Sequence, residues 1–366
     1  MGTAHERVDP ERTDALLESL LEAAGSAMAL FGIHVGDRLG YYDALAAGPH
    51  TSTELADATD THERYAREWL EHQTVTGVLT VENAGDEPAD RRYALPESYV
   101  EVFCDPDSLN YFTPLATLIA GVGLPLEDVI DAFRTGGGVP FSAYGDVTHE
   151  GIAALNRPAF LSQLGPEWLA SIPDVDARLC EGGRVADVGC GHGWSSIGVA
   201  EHYPETVVDG FDLDEASVER AADHVSARRL EDRVTVTHRD AADVDADGEY
   251  DLVMAFECVH DLSDPVGVLE TMRRLAGEDG AVLVVDERAG ETFTPAGNDV
   301  EPLLYGFSVL HCLPVGMADE PGVGTGTVMR PGTLERYATD AGFSAVEVLP
   351  IENFFFRFYR LHAASA

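Results

Sequence analysis

The segment Val185–Gly193 restricts the fold of this chain more than any other stretch, and its sequence is V-A-D-V-G-C-G-H-G. Apolar residues on both sides of Asp187 are typical of a buried strand. Gly189, Gly191 and Gly193 allow a tight turn and the close approach of a ligand, where a Cβ atom would clash. Helical spacing begins directly afterwards, so the loop ends at a helix N-terminus with free N–H groups. We expect a strand, a glycine loop and a helix that bind a cofactor.

The loop is not a dinucleotide fingerprint, because the third glycine of G-x-G-x-x-G is replaced by Trp194. The pattern apolar-Asp-apolar-Gly-x-Gly-x-Gly resembles the first motif of class I S-adenosylmethionine (AdoMet) methyltransferases. Three further strand ends follow in the order of that family, at Phe211-Asp212, Arg239-Asp240-Ala241 and Phe256-Glu257. The resemblance covers about residues 180–361 and implies an AdoMet cofactor.

The strand ends supply candidate cofactor ligands. A carboxylate after the second strand, here Asp212, can accept hydrogen bonds from ribose hydroxyls. The resemblance implies that Asp240 accepts from the adenine amino group, and that Ala241 and Leu213 lie against the ring. Solvated acids at strand ends are the alternative for both aspartates. The predicted cofactor residues are Asp187, Gly189, Gly191, Gly193, Asp212, Leu213, Asp240, Ala241 and Phe256.

Strand and helix patterns alternate from about residue 184 to residue 361. This alternation predicts an α/β fold, with a Rossmann-like, doubly wound sheet of seven strands in a cofactor domain of residues 183–366. The last two strands are close together and resemble the terminal hairpin of class I methyltransferases. Residues 288–332 interrupt the pattern with aromatic and apolar residues, so we expect an ordered substrate lid there.

The N-terminal part, residues 1–100, has the pattern of a winged helix. A long helix is predicted over residues 14–45, an N-cap at Thr51–Thr53, and a second helix over Glu63–Thr74. Two short strand patterns, Val78–Val81 and Arg92–Leu95, flank a Gly/Asp/Pro-rich turn and predict a hairpin wing. The broad apolar surface of the first helix suggests a partner subunit. Plant-type O-methyltransferases, which this chain resembles, carry such a dimerisation domain, so we expect a homodimer.

A winged helix also raises the hypothesis of a DNA-binding regulator that senses AdoMet or a metabolite. The second helix carries Glu63, Arg64, Arg67, Glu68 and Glu71, which do not form a basic face. Phosphate contacts supply most of the non-specific affinity for DNA. We therefore expect a dimerisation module and no nucleic-acid partner.

Residues 101–182 are predicted to be a helical connector between the two domains. Apolar patterns at residues 115–120 and 126–133 indicate helices, and another helical region extends from Gly151 to Leu179. Tyr144 follows a glycine-rich loop and is a candidate either for the cofactor pocket or for the core.

The candidate catalytic group follows the fourth strand, where H-D-L-S-D begins at His260. This segment resembles H-D-W-S-D of the plant-type O-methyltransferases, with Leu262 at the place of the tryptophan. The resemblance implies that His260 deprotonates the acceptor hydroxyl, and imidazole suits this role because its ordinary pKa is about 6.5. The alternative is a structural residue at a helix N-terminus, capped by Asp261 or Ser263.

Other residues are weaker candidates for the acceptor site: His311, Arg330, Tyr305 and Glu257. A divalent metal would need converging carboxylates with open positions. Asp261, Asp286 and Glu287 could supply them, but their spacing does not require it, and we expect no metal.

Composition indicates the environment of the protein. The formal net charge is −42, and all 23 basic residues are arginine. Such a charge opposes binding to nucleic acids or anionic membranes, and it fits a halophilic source where salt screens the repulsion. Five scattered cysteines suggest reduced thiols. The N-terminal M-G-T-A-H-E-R lacks a signal pattern and no 18-residue apolar run is evident, so we expect a cytoplasmic protein.

These observations predict an AdoMet-dependent methyltransferase that acts on a small-molecule acceptor, most simply a hydroxyl. Transfer to carbon or nitrogen, and a scaffold that binds AdoMet without catalysis, remain alternatives. The sequence does not identify the acceptor.

Overall fold

The computed structural model of the protein describes residues 9–244 and 248–363. The chain divides into two compact units after Ala120. Most of the predicted connector, residues 121–182, therefore belongs to the same unit as the sheet. The N-terminal M-G-T-A-H-E-R lies outside the described residues.

The first unit contains the predicted winged helix. Its strands β1 and β2 pair in antiparallel fashion, and its core contains Leu55, Leu70 and Tyr93. Thr51 caps α3 in a capping box with Glu54, as the sequence predicts. The elements are α1 (Pro10–Arg38), α2 (Tyr41–Ala46), α3 (Ser52–Ala58), α4 (Glu63–Val75), β1 (Thr80–Val81), β2 (Tyr93–Ala94), α5 (Val100–Cys104) and α6 (Thr113–Val122).

Helix α1 is long and apolar enough to cross a membrane by length and composition. Its most apolar 18-residue window has a mean hydropathy of 1.4, and none of that window is buried. The expectation of no such stretch was wrong, because an average over 18 residues tolerates up to two charged residues among apolar ones.

Helix α4 occupies the position of a recognition helix, but its arginines are paired with acids. Arg64 pairs with Glu68, Arg67 lies 3.3 Å from Glu63, and Glu71 accepts from Arg91 at 2.8 Å. These pairs neutralise the positive charge that a phosphate backbone would need.

The second unit is built on a sheet of seven described strands. Its helices are α7 (Leu126–Thr135), α8 (Gly145–Ala159), α9 (Pro173–Cys180), α10 (Trp194–His202), α11 (Glu215–Ala227), α12 (Pro265–Ala276), α13 (Glu301–Phe307), α14 (Leu313–Gly316) and α15 (Pro331–Asp340). Its strands are β3 (Arg184–Val188), β4 (Val207–Asp212), β5 (Val234–His238), β6 (Leu252–Phe256), β7 (Ala281–Glu287), β8 (Phe343–Val348) and β9 (Phe356–Ala363).

The strand order is β5-β4-β3-β6-β7-β9-β8. The first five strands in this order are parallel, and β9 pairs antiparallel with both β7 and β8. The chain moves outward from β3 to β5 and then returns to β6 on the other side of β3. Ligands of doubly wound sheets bind at the carboxyl edge beside such a reversal. The predicted fold class is confirmed.

Two layers of apolar side chains cover the sheet. One contains Trp168, Ile197 and Leu283, and the other contains Phe211, Leu269 and Leu334. Strands β3, β6 and β7 are buried almost throughout, as expected for parallel strands covered on both faces.

The lid segment, residues 288–332, is ordered and helical. It contains α13, a π-helical segment at Ser308–Cys312 and the short α14. This arrangement agrees with the sequence expectation of order without strands.

Candidate active site

The glycine loop lies at the carboxyl end of β3, and all three of its glycines have positive φ angles of 50–79°. A Cβ atom at Gly189 would lie 2.8 Å from the sulfur of Cys258, and one at Gly193 would lie 3.1 Å from Ala221. No atom lies within 4 Å of the Cβ position at Gly191. The loop is therefore tightly packed at both ends and open in the middle, where a ligand can approach the backbone.

Asp187 ties the strand below this loop to the helix after it. The hydroxyls of Ser195 and Ser196 each donate to its Oδ2 at 2.6 Å, and its Oδ1 has no hydrogen-bond partner in the part of the chain that the structure describes. Burial raises its pKa to about 6. Asp187 thus orients the N-terminus of α10 and keeps one buried acceptor available.

Asp212 holds the loop from the neighbouring strand. It ends β4 and accepts hydrogen bonds from the backbone N–H groups of Gly191 at 2.8 Å and Asp214 at 2.9 Å. Burial raises the pKa of its carboxyl group. Leu213, the predicted adenine contact, follows with 61% of its surface exposed. Together with the opening at Gly191, these residues fit the ribose and methionine parts of AdoMet.

Trp194, which replaces the third glycine of a dinucleotide motif, packs between a histidine ring and two arginine side chains. Its ring stacks on His224 with centroids 4.4 Å apart, and the guanidinium groups of Arg157 and Arg228 lie 4.7 and 5.6 Å from the ring centroid. Cation–π contacts therefore stabilise a bulky residue where dinucleotide folds require glycine.

The remaining predicted cofactor residues differ in placement. Ala241 is buried at the start of a short 3-10 helix just after Asp240, near the end of β5. Phe256, in contrast, packs its ring 5.2 Å from Phe160 and 6.3 Å from Trp168. The Phe256 side chain thus lies in the core, because β6 alternates its side chains between the two faces of the sheet. The cofactor-binding roles themselves stay predictions.

His260 lies in a short 3-10 helix after β6 and is 2% exposed. Its Nδ1 is 2.7 Å from Oδ1 of Asp286 and 3.0 Å from Oε2 of Glu287, and its Nε2 is 3.2 Å from Oδ1 of Asp261. The sequence identified Asp286 and Glu287 only as conceivable metal ligands, and it identified Asp261 as such a ligand or as a helix cap. Their positions after β6 and at the end of β7 could have indicated their proximity to His260, because adjacent parallel strands end at the same edge of a sheet.

The structural alternative for His260 does not describe its environment. The N-cap of α12 is Asp264, which accepts from Gly267 N at 3.0 Å. His260 precedes this cap by four residues and interacts with side-chain carboxylates.

The acids determine the charge of this cluster. Burial alone would lower the pKa of His260, but Asp286, Glu287 and Asp261 outweigh it and hold that pKa well above 6.5. Burial would raise the pKa of Asp286, but the charge of His260 outweighs it and leaves that pKa lowered. For Glu287, burial dominates and raises the pKa. Below the raised pKa of His260, this residue and Asp286 form a charged pair, and His260 becomes neutral only when the pH passes that pKa.

The same atoms have the spacing of a metal site. Ligand atoms of His260, Asp286 and Glu287 lie within 4.8 Å of one another, as do those of His260, Asp261 and Cys312. In the first group, the hydrogen bond between His260 and Asp286 already accounts for this proximity. That no metal takes part stays a prediction.

Lid residues pack beside this cluster. His311 is buried, its ring lies 4.4 Å from that of Tyr144, and burial lowers its pKa, so it is neutral. The hydroxyl of Tyr144 donates to the carbonyl of Leu310 at 2.7 Å. Tyr144 is fully buried and holds the π-helical segment, which is the core role that the sequence left open.

Arg330 and Tyr305 lie at the base of the lid. Arg330 donates to Glu301 at 3.1 Å, to the carbonyl of Gly290 at 2.7 Å and to the hydroxyl of Tyr305 at 3.1 Å. These contacts join the beginning and end of the lid segment, so the structure gives both residues a role in closing it.

Comparisons with known proteins agree with this geometry. Residues 185–280 match the family model described as a methyltransferase domain. The second unit contains a methyltransferase domain. Residues 26–104 match a model described as an Rv2258c-like winged HTH domain. The predicted methyltransferase domain and the predicted winged helix are therefore confirmed.

Individual relatives cover different shares of the chain. The mitomycin biosynthesis 6-O-methyltransferase of Streptomyces lavendulae is 28% identical over 290 residues, 75% of this chain and 78% of that protein. The structure of the mitomycin 7-O-methyltransferase has a TM-score of 0.68 at 20% identity, covering 97% of this chain and all of that one. Human N-acetylserotonin methyltransferase, solved with AdoMet, has a TM-score of 0.68 at 18% identity, with full coverage of both chains.

Two further relatives match over less than a third of this chain. The chain spans 5% of a polyketide synthase from Burkholderia thailandensis, at 32% identity over 103 residues. It spans 40% of the 27-O-demethylrifamycin SV methyltransferase of Amycolatopsis mediterranei, at 31% identity over 109 residues. The activity of the whole protein is therefore a proposal.

Proposed function

We propose that this protein transfers a methyl group from AdoMet to a hydroxyl of a small-molecule acceptor. The observation that carries the proposal is the buried pair of His260 and Asp286, placed at the same sheet edge as the glycine loop. Strands β3 and β6 are neighbours in parallel register, with Val188 beside Ala255, so Gly189 and His260 follow from adjacent strand ends. A proton acceptor thus lies next to the cofactor site.

AdoMet, when bound, supplies an electrophilic methyl group on a sulfonium. Asp212 and the backbone at Gly191 would hold its ribose and methionine parts. Asp286 accepts from Nδ1 of His260, which leaves Nε2 as the nitrogen that can take a proton from the acceptor hydroxyl. The acidic surroundings stabilise the resulting imidazolium, and the lid segment excludes water while the reactants are held in line.

The acceptor class is supported by the relatives. One relative is a 6-O-methyltransferase of mitomycin biosynthesis. An O-methyltransferase from neocarzinostatin biosynthesis, which resembles this chain in structure, was solved with 2-hydroxy-5-methyl naphthoic acid. We propose an aromatic hydroxyl compound as the acceptor. The winged-helix regulator is not favoured, because the arginines of α4 are paired with acids.

The reaction is tested by incubating the protein with methyl-labelled AdoMet and one of three matched acceptors. These are a phenol, an aromatic amine and a compound with a nucleophilic carbon. Label transfer to the phenol, with formation of S-adenosylhomocysteine (AdoHcy), is expected, and mass spectrometry locates the new methyl group. Methylation of only the amine or the carbon acceptor contradicts O-transfer. If calorimetry at high salt detects no binding of AdoMet or AdoHcy, the proposed methyltransferase function is contradicted.

We further propose that α1 pairs with a second copy of the chain. Seven large apolar residues of α1 are 41–76% exposed: Leu16, Leu17, Leu20, Leu21, Met28, Phe31 and Val35. The net charge of −42 opposes an anionic membrane as the partner of this surface. Light scattering of the wild-type protein is expected to give the mass of a dimer. The Leu17→Glu/Leu21→Glu variant is expected to give the mass of a monomer. A wild-type monomer that binds vesicles contradicts the proposal.

The composition supports a halophilic source and a cytoplasmic location. All five cysteines are free, as in reducing compartments. Salt-dependent folding is the measurable consequence of a halophilic source.

A further inference from the structure

Glu257 has an unusual position at the carboxyl edge of the sheet. It directly follows β6, and its φ angle of 49° lies in the left-handed region that non-glycine residues rarely adopt. Its backbone N–H donates to the carbonyl of Val285 on β7 at 2.8 Å. Strained backbone of this kind persists where the surrounding structure imposes it, and it concentrates at functional sites.

The strand register places Glu257 beside the glycine loop. Because Ala255 pairs with Val188, Glu257 leaves the sheet at the same level as Cys190. The next residue, Cys258, donates its thiol to the carbonyl of Val188 at 3.3 Å and lies against Gly189. Glu257 is therefore anchored between the ends of β3 and β7, at the edge where a cofactor lies.

Within the described residues, no arginine forms an ion pair with the carboxylate of Glu257, and His260 is the cation that acts on it. Its side chain accepts a hydrogen bond from the neutral amide of Asn156 in α8. The charged groups that act on it most are His260, Asp286 and Asp261. His260 already pairs with Asp286 and Glu287, so this one cation is shared among several acids and does not neutralise Glu257 alone. A buried carboxylate in this situation favours a ligand that brings a positive charge.

We propose that Glu257, oriented by Asn156, binds the α-ammonium group of the amino-acid tail of AdoMet. This inference rests on the proposed function, because it assigns one contact of that cofactor. Two other acids lie close to the loop. Asp212 uses both of its oxygens to accept from the backbone N–H groups of Gly191 and Asp214. Oδ2 of Asp187 already accepts from two serine hydroxyls, and Asp187 lies within β3 below the loop. Glu257 lies beyond its strand, at the edge itself.

Calorimetry with three ligands tests the contact without activity. AdoHcy carries both the ammonium and the carboxylate, decarboxylated AdoHcy keeps only the ammonium, and 5′-methylthioadenosine lacks the tail. Glu257→Gln is expected to weaken both ammonium-bearing ligands by roughly 10- to 100-fold, because a charged hydrogen bond is lost. The affinity for 5′-methylthioadenosine stays unchanged. Glu257→Asp restores part of the loss, and Glu335→Gln, at an exposed position, changes none of the affinities.

Proton release by the wild-type protein gives a second readout that needs no variant. Burial raises the pKa of Glu257 to about 7, among His260, Asp261 and Asp286. An ammonium ligand favours the ionised carboxylate, so AdoHcy binding near pH 7 is expected to release up to about half a proton. Binding of 5′-methylthioadenosine releases less. Titrations in two buffers of different ionisation enthalpy measure this difference.

The outcomes separate the two proposals. Wild-type protein that binds none of the three ligands contradicts the proposed function. Wild-type protein that binds AdoHcy, together with a folded Glu257→Gln variant of equal affinity, contradicts only the role of Glu257. The same holds if Asp187→Asn, and not Glu257→Gln, selectively weakens the ammonium-bearing ligands. Equal proton release with AdoHcy and 5′-methylthioadenosine also contradicts it.

Discussion

Nδ1 of His260 lies 2.7 Å from Oδ1 of Asp286, and both residues are at most 2% exposed. A buried pair this close fixes the orientation of the imidazole ring and leaves Nε2 as its second functional atom. The arrangement follows the general rule that a catalytic base is itself oriented by a third group. It also makes the charge of His260 depend on its acidic neighbours.

Replacement of His260 by alanine should lower turnover of a hydroxyl acceptor by roughly 10²- to 10⁴-fold, since the proton acceptor is lost. The affinity for AdoHcy should change little. Single-turnover kinetics and calorimetry measure the two quantities. Unchanged turnover in a folded variant would remove His260 from the mechanism.

The rate of methyl transfer should rise with pH. His260 must be neutral to take a proton, and the surrounding carboxylates hold its pKa well above 6.5. Turnover is therefore low at neutral pH and increases as the pH passes that raised pKa.

The Asp286→Asn variant tests the origin of this pH dependence. Removal of one neighbouring negative charge lowers the pKa of His260, so the rising limb of the pH–rate profile should shift to lower pH. The exposed control Asp340→Asn should leave the profile in place. A shift to higher pH would contradict the assignment.

The Tyr144→Phe variant should loosen the lid. It removes the hydroxyl that donates to Leu310 and leaves a carbonyl of the π-helical segment without this donor. We expect the free energy of unfolding to fall by about 1 kcal/mol and the KM of the acceptor to rise, with AdoHcy affinity unchanged. Tyr203→Phe is a matched control, because it loses a similar bond to Asp176 far from the lid. Equal KM changes in both variants would point to a general loss of stability.

Glu301→Gln should destabilise the base of the lid by about 1.5–3 kcal/mol. Oε1 of Glu301 accepts from Gly290 N and Arg330, and Oε2 accepts from Asn298 N, so either amide orientation would place a donor against a donor. Denaturant titration at high salt measures the loss. The exposed Glu270→Gln variant should be neutral.

Thermal stability should increase with KCl. At a net charge of −42 the folded chain repels itself, and the screening length falls from about 10 Å at 0.1 M salt to about 3 Å at 1 M. We expect the melting temperature to rise over this range, measured by calorimetry. A maximum at the lowest salt would contradict a halophilic adaptation.

The glycine loop shows how much local sequence can predict. The loop and the acids after β4 and β5 are contiguous signals, because backbone conformation and strand ends depend on neighbouring residues. The alternation of strands and helices likewise predicted the doubly wound sheet before any tertiary contact was known. Trp194 correctly excluded a dinucleotide motif, although only the structure shows the arginines that stabilise it.

What the sequence determined by itself was thus the fold, the place of the cofactor loop and the candidate base His260, because each depends on a short pattern. Only the tertiary structure decided which groups surround that base and that Phe256 belongs to the core. Asp286 and Glu287 reach His260 across 26 and 27 positions of chain through the pairing of β6 with β7. Asn156 meets Glu257 across 101 positions. Such contacts arise from packing between distant segments, and no local pattern encodes them.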